Sequence, residues 1–119
     1  NVMTESGETE GYTVSDHIRA LFSHGCYGLF GLCMVNSAPL PRIIAQRYAK
    51  EGSAPVFCDE KECARLGVEI ISRPICAVEN QVIRHNPGHL AAELIALYRQ
   101  RTIRVVEEKT GHARNRMEK

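Results

Sequence analysis

Gly31-Leu32-Cys33-Met34-Val35, closed by Asn36, decides the fold. A strand with one wet face alternates apolar and polar residues, whereas an unbroken apolar run is what a parallel strand covered on both faces presents. Upstream, a helix is expected from near Ser15, with Thr13 or Ser15 as its cap and Asp16 suited to the positive end of the helix dipole. Ile18, Leu21 and Phe22 supply its i, i+3, i+4 stripe, and Gly25 is a natural stop. Asn1–Met3 reads as the end of an earlier strand. Downstream, Pro39 and Pro41 break the loop and open a helix from roughly Leu40 to Lys50, ended by Gly52. Pro55-Val56-Phe57 reads as a third strand, Asp59 caps a short helix ending at Gly67, and Val68-Glu69-Ile70-Ile71 reads as a fourth strand.

Residues 74–80 are less regular, and Gln81-Val82-Ile83-Arg84 reads as a small extra strand. Asn86-Pro87 is a helix start, an Asn cap with Pro at the first helical position. The helix is expected to run to about Gln100, with Leu90, Leu94, Leu97 and Tyr98 as its core stripe beside Ala91 and Ile95; after Val106 the pattern fades. Strand and helix alternate at the spacing of an α/β fold with a mainly parallel sheet and flanking helices. Residues 1–101 are assigned to this α/β portion and 102–119 to a polar basic tail.

The composition, 44% hydrophobic and 24% charged, is that of a globular protein. No run approaches the ~20 apolar residues of a membrane span, and the polar, acidic start is unlike a signal peptide. The chain begins at Asn1 rather than Met, so an upstream portion is expected; if Asn1–Met3 ends a strand, the sheet needs more chain, or a partner, to be complete. Net charge is +1, and residues 99–119 hold seven Lys/Arg and three Glu, a net of +4, leaving −3 on residues 1–98. Such a tail suits an acidic partner or membrane surface, or is a solvated terminus; no nucleic-acid partner is expected. The five cysteines, Cys26, Cys33, Cys58, Cys63 and Cys76, include no CxxC pair and read as thiols of a reducing compartment, the cytoplasm.

The loop Thr4-Glu5-Ser6-Gly7-Glu8-Thr9-Glu10-Gly11-Tyr12-Thr13 is the most informative stretch. In open α/β sheets ligands bind at the carboxyl ends of strands, over helix N-termini, which is where this loop is expected. Gly7 and Gly11 permit close backbone approach, and the hydroxyls of Thr4, Ser6, Thr9 and Thr13 suit a ligand. The loop lacks the GxGxxG and P-loop patterns and carries Glu5, Glu8 and Glu10, which suit sugar or ribose hydroxyls, or Mg²⁺ held through water, better than bare phosphate. The alternative is a solvated loop with an acidic helix entry. Asn36 lies at a strand end on the same sheet edge, either facing a ligand or bonding its own turn. Arg84 either clamps a phosphate or carboxylate or pairs with a surface carboxylate, and His85 can titrate near neutral pH. His17 and His24 lack further ligands, Cys58 and Cys63 lack zinc spacing, and Cys26 with His24 lacks an orienting third group, so no metal site and no catalytic residue are assigned.

Asn1-Val2-Met3-Thr4-Glu5-Ser6-Gly7-Glu8-Thr9-Glu10-Gly11-Tyr12-Thr13, followed by Ser15-Asp16-His17, resembles the segment N-[IV]-M-T-Q-P-G-E-T-D-G-Y-T-x-x-D-H of YvcK-type proteins. These gluconeogenesis factors belong to the CofD-like superfamily, named for 2-phospho-L-lactate transferase. Val35-Asn36 with Pro39 and Pro41, Tyr48 with Pro55-Val56, Leu66-Gly67-Val68, and Arg84-His85-Asn86-Pro87 with Leu90-Ala91 resemble further family segments, in the family's order to about Leu97. Glu5 and Ser6 stand where the family has Gln-Pro, and Glu10 and Asn86 where it has Asp. The resemblance implies a Rossmann-like three-layer fold of which this is the C-terminal portion, with the Gly-rich nucleotide-binding turn in an N-terminal half outside this chain. It implies a ligand cleft lined by Asn1, Thr4, Gly7, Glu8, Thr9 and Tyr12, to which the residue reading adds Asn36 and Arg84. The ligand implied is a nucleotide or UDP-activated sugar, in a regulatory protein linked to gluconeogenic growth, cell shape and peptidoglycan synthesis. The transferase relatives imply instead a nucleotide-dependent phospholactyl transferase using Mg²⁺. A third expectation is an assembly module that packs on its own N-terminal half or forms a homo-oligomer.

Overall fold

Helix α1, Val14–Leu21, begins where Thr13 and Asp16 close a capping box: the Thr13 hydroxyl accepts from the Asp16 N–H, and the Asp16 carboxylate accepts from the Thr13 N–H at 3.0 Å. The computed structural model to which this helix belongs describes residues 1–117, and side-chain surroundings as far as residue 110. A π-helical turn, Phe22–Cys26, follows α1 and stops at Gly25, whose φ of 92° is open to glycine and costly to other residues. The apolar run becomes strand β1, Leu32–Asn36; helix α2, Arg42–Lys50, starts after Pro41; helix α3, Glu60–Arg65, follows Asp59. Strand β2, Glu69–Arg73, lies parallel to β1 with Leu32 opposite Glu69 and Asn36 opposite Arg73. The chain is therefore an α/β protein with parallel strands and flanking helices.

Three expectations change. Pro55-Val56-Phe57 is not a full strand: Met3 and Pro55 form a single antiparallel bridge, with Thr4 N–H donating to Ala54 O at 2.7 Å and Val56 N–H to Val2 O at 3.0 Å. Pro55 has no N–H to extend such a ladder. Second, residues 74–80 are more regular than their composition predicts. Strand β3, Cys76–Glu79, and strand β4, Val82–His85, form an antiparallel hairpin with Val78 opposite Ile83. Its two-residue loop has φ of 49° at Asn80 and 63° at Gln81, the geometry that matches the twist of a tight hairpin. Asn tolerates this conformation; Gln81 does so under two hydrogen bonds from Arg47 of α2, one to its side-chain oxygen at 2.6 Å and one to its carbonyl.

Third, the last helix, α4, runs over Pro87–Met117 instead of ending near Gln100. No Pro or Gly interrupts residues 89–110, and Thr102 and Thr110 return their hydroxyls to carbonyls four residues back, at 2.9 and 2.8 Å. The expected core stripe of α4 is largely uncovered, with Leu94 48% and Tyr98 72% exposed. The chain divides into two compact units, Asn1–Asn86 and Pro87–Lys119.

The core of the first unit is Val14, Ile18, Cys63 and Val68, with Phe22, Cys33, Val35, Val56 and Ile70 among the half-buried residues packed on it. Fully burying a side chain such as Ile18 contributes roughly 2 kcal/mol. The seam between α1 and α3 is also held by polar groups: Asp59 accepts from the Ser15 N–H at 2.9 Å and, at short range, from the Ser15 hydroxyl. Arg19 reaches Glu62 at 3.1 Å across the same seam. Asp59 thus stands before α3 as expected, but its carboxylate serves α1. Among the described residues no helix is long and apolar enough to cross a membrane.

Candidate functional site

Within the first unit, the segment that enters the acidic loop, the end of α2 and strand β4 enclose an open cavity of about 650 Å³. Asn1, Thr4, Glu5, Tyr48, Ser53 and Arg84 supply its polar lining, with Val2, Met3, Val82, Ile83 and His85 between them. Thr4 is fixed twice: its N–H donates to Ala54 O, and its hydroxyl oxygen accepts from the Ala54 N–H at 2.9 Å. Thr4 is 6% exposed and retains its hydroxyl proton for a further acceptor. Arg84 is exposed on β4 and, among the described residues, bonds to no carboxylate. Glu5 lines the same cavity and, among the described residues, forms no ion pair with it, so this wall carries a guanidinium and a carboxylate side by side. Partial burial of the His85 ring, with the Asn1 amino group adding to it, holds that imidazole below its usual range.

The acidic loop is built on its own backbone. Glu5 O accepts from the N–H groups of Glu8 and Thr9 at 3.2 and 2.9 Å, and the Thr9 hydroxyl oxygen accepts from the Glu5 N–H at 2.9 Å. The reversals fall at Gly7 and Gly11, at φ of 81° and 72°. The loop rests against the end of α2, where a Cβ on Gly52 would lie 3.1 Å from Ser6 Oγ. Tyr12 meets the His17 ring edge to face at 5.4 Å, and His17 Nδ1 donates to Thr13 O at 2.8 Å. Glu8 is exposed, and among the described residues no group of three His, Cys, Asp or Glu is placed to hold a metal ion. Glu5, Glu8 and Glu10 are thus not gathered as three direct ligands of one ion.

Of the expected ligand residues, the structure brings Asn1, Thr4 and Arg84 to one cavity; Gly7, Glu8, Thr9 and Tyr12 are not in its lining. Asn36 lies beside a second, more apolar cavity of about 370 Å³ that it shares with Asn1, Val2 and Val35. Its amide is already engaged. Asn36 Nδ2 donates to Ala38 O at 3.0 Å, and its Oδ1 accepts from the N–H groups of Ala38, Ile75 and Cys76 at 3.1 to 3.2 Å. The turn-bonding alternative describes this side chain, which also ties the end of β1 to the start of β3. Tyr48 and Ser53 were not anticipated from the residues. Both sit near the C-terminus of α2, and no local pattern marks the end of a helix 36 residues before Arg84 as its neighbour.

The profile of the family 2-phospho-L-lactate transferase CofD matches residues 1–76. The chain is 37% identical over 95 residues to a gluconeogenesis factor of Halalkalibacterium halodurans, covering 80% of this chain and 30% of that protein. It is 38% identical over 100 residues to the gluconeogenesis factor of Bacillus subtilis, covering 84% and 32%. A crystal structure of a protein from Bacillus halodurans superposes with a TM-score of 0.74 at 37% identity, over 80% of this chain and 30% of that one. Another from the same organism, a member of the UPF0052 family, gives 0.68 at 41% identity over 72% and 28%. The chain thus spans about a third of the length of these relatives.

Proposed function

The chain belongs to the CofD family, and on that premise we propose that it supplies one wall of a nucleotide-sugar site in a cytoplasmic regulatory protein of the gluconeogenesis-factor type. The observation that carries this reading is the Arg84 guanidinium, which pairs with no carboxylate among the described residues, at a cavity also lined by Thr4, Tyr48, Ser53 and Glu5. A guanidinium matches phosphate oxygens; hydroxyls and a carboxylate match the hydroxyls of a sugar. A UDP-sugar carries both chemistries in one molecule. The cavity is open, and the rest of it is formed by the N-terminal half of a longer, Rossmann-like three-layer protein, which contributes the Gly-rich turn for the nucleotide. Control of gluconeogenic growth, cell shape and peptidoglycan synthesis follows from sensing such a sugar, and the protein works as a homo-oligomer.

In the intact protein, Arg84→Ala weakens UDP-N-acetylglucosamine about 30-fold by calorimetry, the loss of roughly 2 kcal/mol expected for one charged hydrogen-bonding partner. An unchanged affinity would remove Arg84 from the site and the reading with it. The family's own description supports a second reading, a nucleotide-dependent phospholactyl transferase. Mg²⁺ would then be held by the ligand's phosphates or by residues of the N-terminal half, because the acidic loop does not gather three ligands. Turnover of a nucleoside-diphosphate-linked acid by the intact protein distinguishes the two.

A further inference from the structure

We infer that Cys76 and His85 form a thiol–imidazole pair that makes Cys76 a site of thiol–disulfide exchange with small disulfides. The inference is independent of what occupies the cavity. In the β3–β4 hairpin Cys76 lies directly opposite His85. The backbone hydrogen bonds fix the kind of pairing. Asn86 N–H donates to Ile75 O at 2.7 Å, whereas the Cys76 N–H turns outward to Asn36 Oδ1 at 3.2 Å. Cys76 and His85 therefore exchange no ladder bonds with each other, which is the closer of the two antiparallel pairings. The Cβ atoms of such a pair lie about 4.5–5.5 Å apart on one face, so side-chain rotation alone brings the thiol and a ring nitrogen together. Val78 and Ile83 share that face, while Glu79 and Arg84 belong to the other. No charged side chain of the hairpin stands beside the pair.

The five cysteines are not alike. Burial raises the Cys33, Cys58 and Cys63 thiols above their usual range, which leaves them poor nucleophiles at neutral pH. Cys26 lies two residues from His24, but that ring turns back on α1, with Nδ1 donating to Ala20 O at 2.7 Å. Cys76 is half-buried and His85 more open, so a small disulfide can reach them. Partial burial keeps the His85 ring below its usual range, hence neutral and able to accept a proton at pH 7. In the exchange, His85 takes the Cys76 proton and Sγ attacks one sulfur of R–S–S–R. The S–S bond breaks, and the proton passes to the leaving thiolate. The products are the mixed disulfide on Cys76 and one R–SH, and the small disulfide is the only oxidant. The added group stands at the residue whose N–H Asn36 holds, so it loosens the tie between the end of β1 and the start of β3.

The test exposes the intact protein to oxidised glutathione at pH 7, follows adducts by mass spectrometry and locates them by peptide mapping. The same protein unfolded in urea gives the rate of the bare thiol. A free thiol is about 3% thiolate at pH 7, so a base can raise its rate by about 30-fold at most. The expected result is a first adduct at Cys76, about tenfold faster than at the same cysteine in the unfolded chain. His85→Ala should remove that gain, and imidazole added to the buffer should restore part of it. His85→Phe keeps the bulk of the ring on β4 and should be as slow as His85→Ala, without the rescue. A first adduct at Cys26, a Cys76 rate no higher than in the unfolded chain, or His85→Phe reacting as fast as the unaltered protein would overturn the pair. A loss in His85→Ala that imidazole leaves unrepaired would overturn the proton transfer and reduce His85 to packing.

Discussion

Replacing Asp59 by Ala should unlock the seam between α1 and α3. Ser15 is 0% exposed, and its N–H and hydroxyl both donate to the Asp59 carboxylate, 44 residues away in sequence. With the carboxylate gone, two buried donors lose their acceptor where water does not enter, at about 1–3 kcal/mol each. The desolvation cost of the carboxylate is recovered in part, so the net loss is about 3 kcal/mol, or near 10 °C in Tm for a chain of this size. Ser15→Ala should cost less, about 1–2 kcal/mol, because Asp59 keeps the backbone N–H as a donor. The double variant should fall short of the sum by about 1 kcal/mol, since both substitutions remove the same hydroxyl–carboxylate bond. Urea unfolding followed by far-UV circular dichroism measures all three. A loss below about 0.5 kcal/mol for Asp59→Ala, or strict additivity, would show that the seam is held by Ile18, Cys63 and Val68 alone.

Three further outcomes follow from the same contacts. Asp16 is held below the usual carboxylate range by the Thr13 N–H and then the Thr13 hydroxyl; at Asp59 burial pushes upward, but the Ser15 hydroxyl and N–H and the Thr13 hydroxyl outweigh it. Both groups are more acidic folded than unfolded, so their stabilisation is present above about pH 4 and is lost as pH falls through the folded values. The urea midpoint should hold steady from pH 7 to 5 and then drop, and Asp59→Asn should flatten that drop; a midpoint that rises on acidification would contradict the assignment. Burial, reinforced by the Asp59 charge, pushes the Cys63 thiol up to about 12, so iodoacetamide at pH 8 should reach Cys63 only after unfolding. Labelling of native Cys63 on the timescale of the other cysteines would refute this. Gly52 sits at φ of 79°, so Gly52→Ala should cost about 1 kcal/mol and displace Ser6, read as amide-shift changes confined to residues 5–10; unchanged spectra would mean that the acidic loop does not rest on this turn.

Elements whose cause lies in neighbouring residues were legible in the sequence. Thr13 with Asp16, the Gly25 and Gly67 stops, the apolar run of β1 and the Asn86-Pro87 helix start all act within one turn or one strand. What the sequence hid depends on partners far along the chain. Asp59 reads as a local cap until Ser15 is seen to claim it. The β3–β4 hairpin escapes notice because Asn80-Gln81 lacks the glycine that marks such loops, and Arg47 on α2 supplies the missing support. The reach of α4 past Gln100 is not marked by an apolar stripe; residues 101–110 hold no Pro or Gly, and Arg, Glu and Lys among them favour the helix. Asn1, Thr4 and Arg84 line one cavity, whereas the acidic loop bonds inward and Asn36 bonds to backbone. Tyr48 enters through a single long-range hydrogen bond, which no spacing rule encodes.

The most direct test of a shared site is to titrate UDP-N-acetylglucosamine by calorimetry into residues 1–119 and, separately, into the intact protein. The account predicts binding by the intact protein and none by residues 1–119, because it assigns the turn that holds the nucleotide to the part of the relatives' length that these residues do not span. Equal binding by residues 1–119 alone would contradict it, since the cavity would then be a complete site.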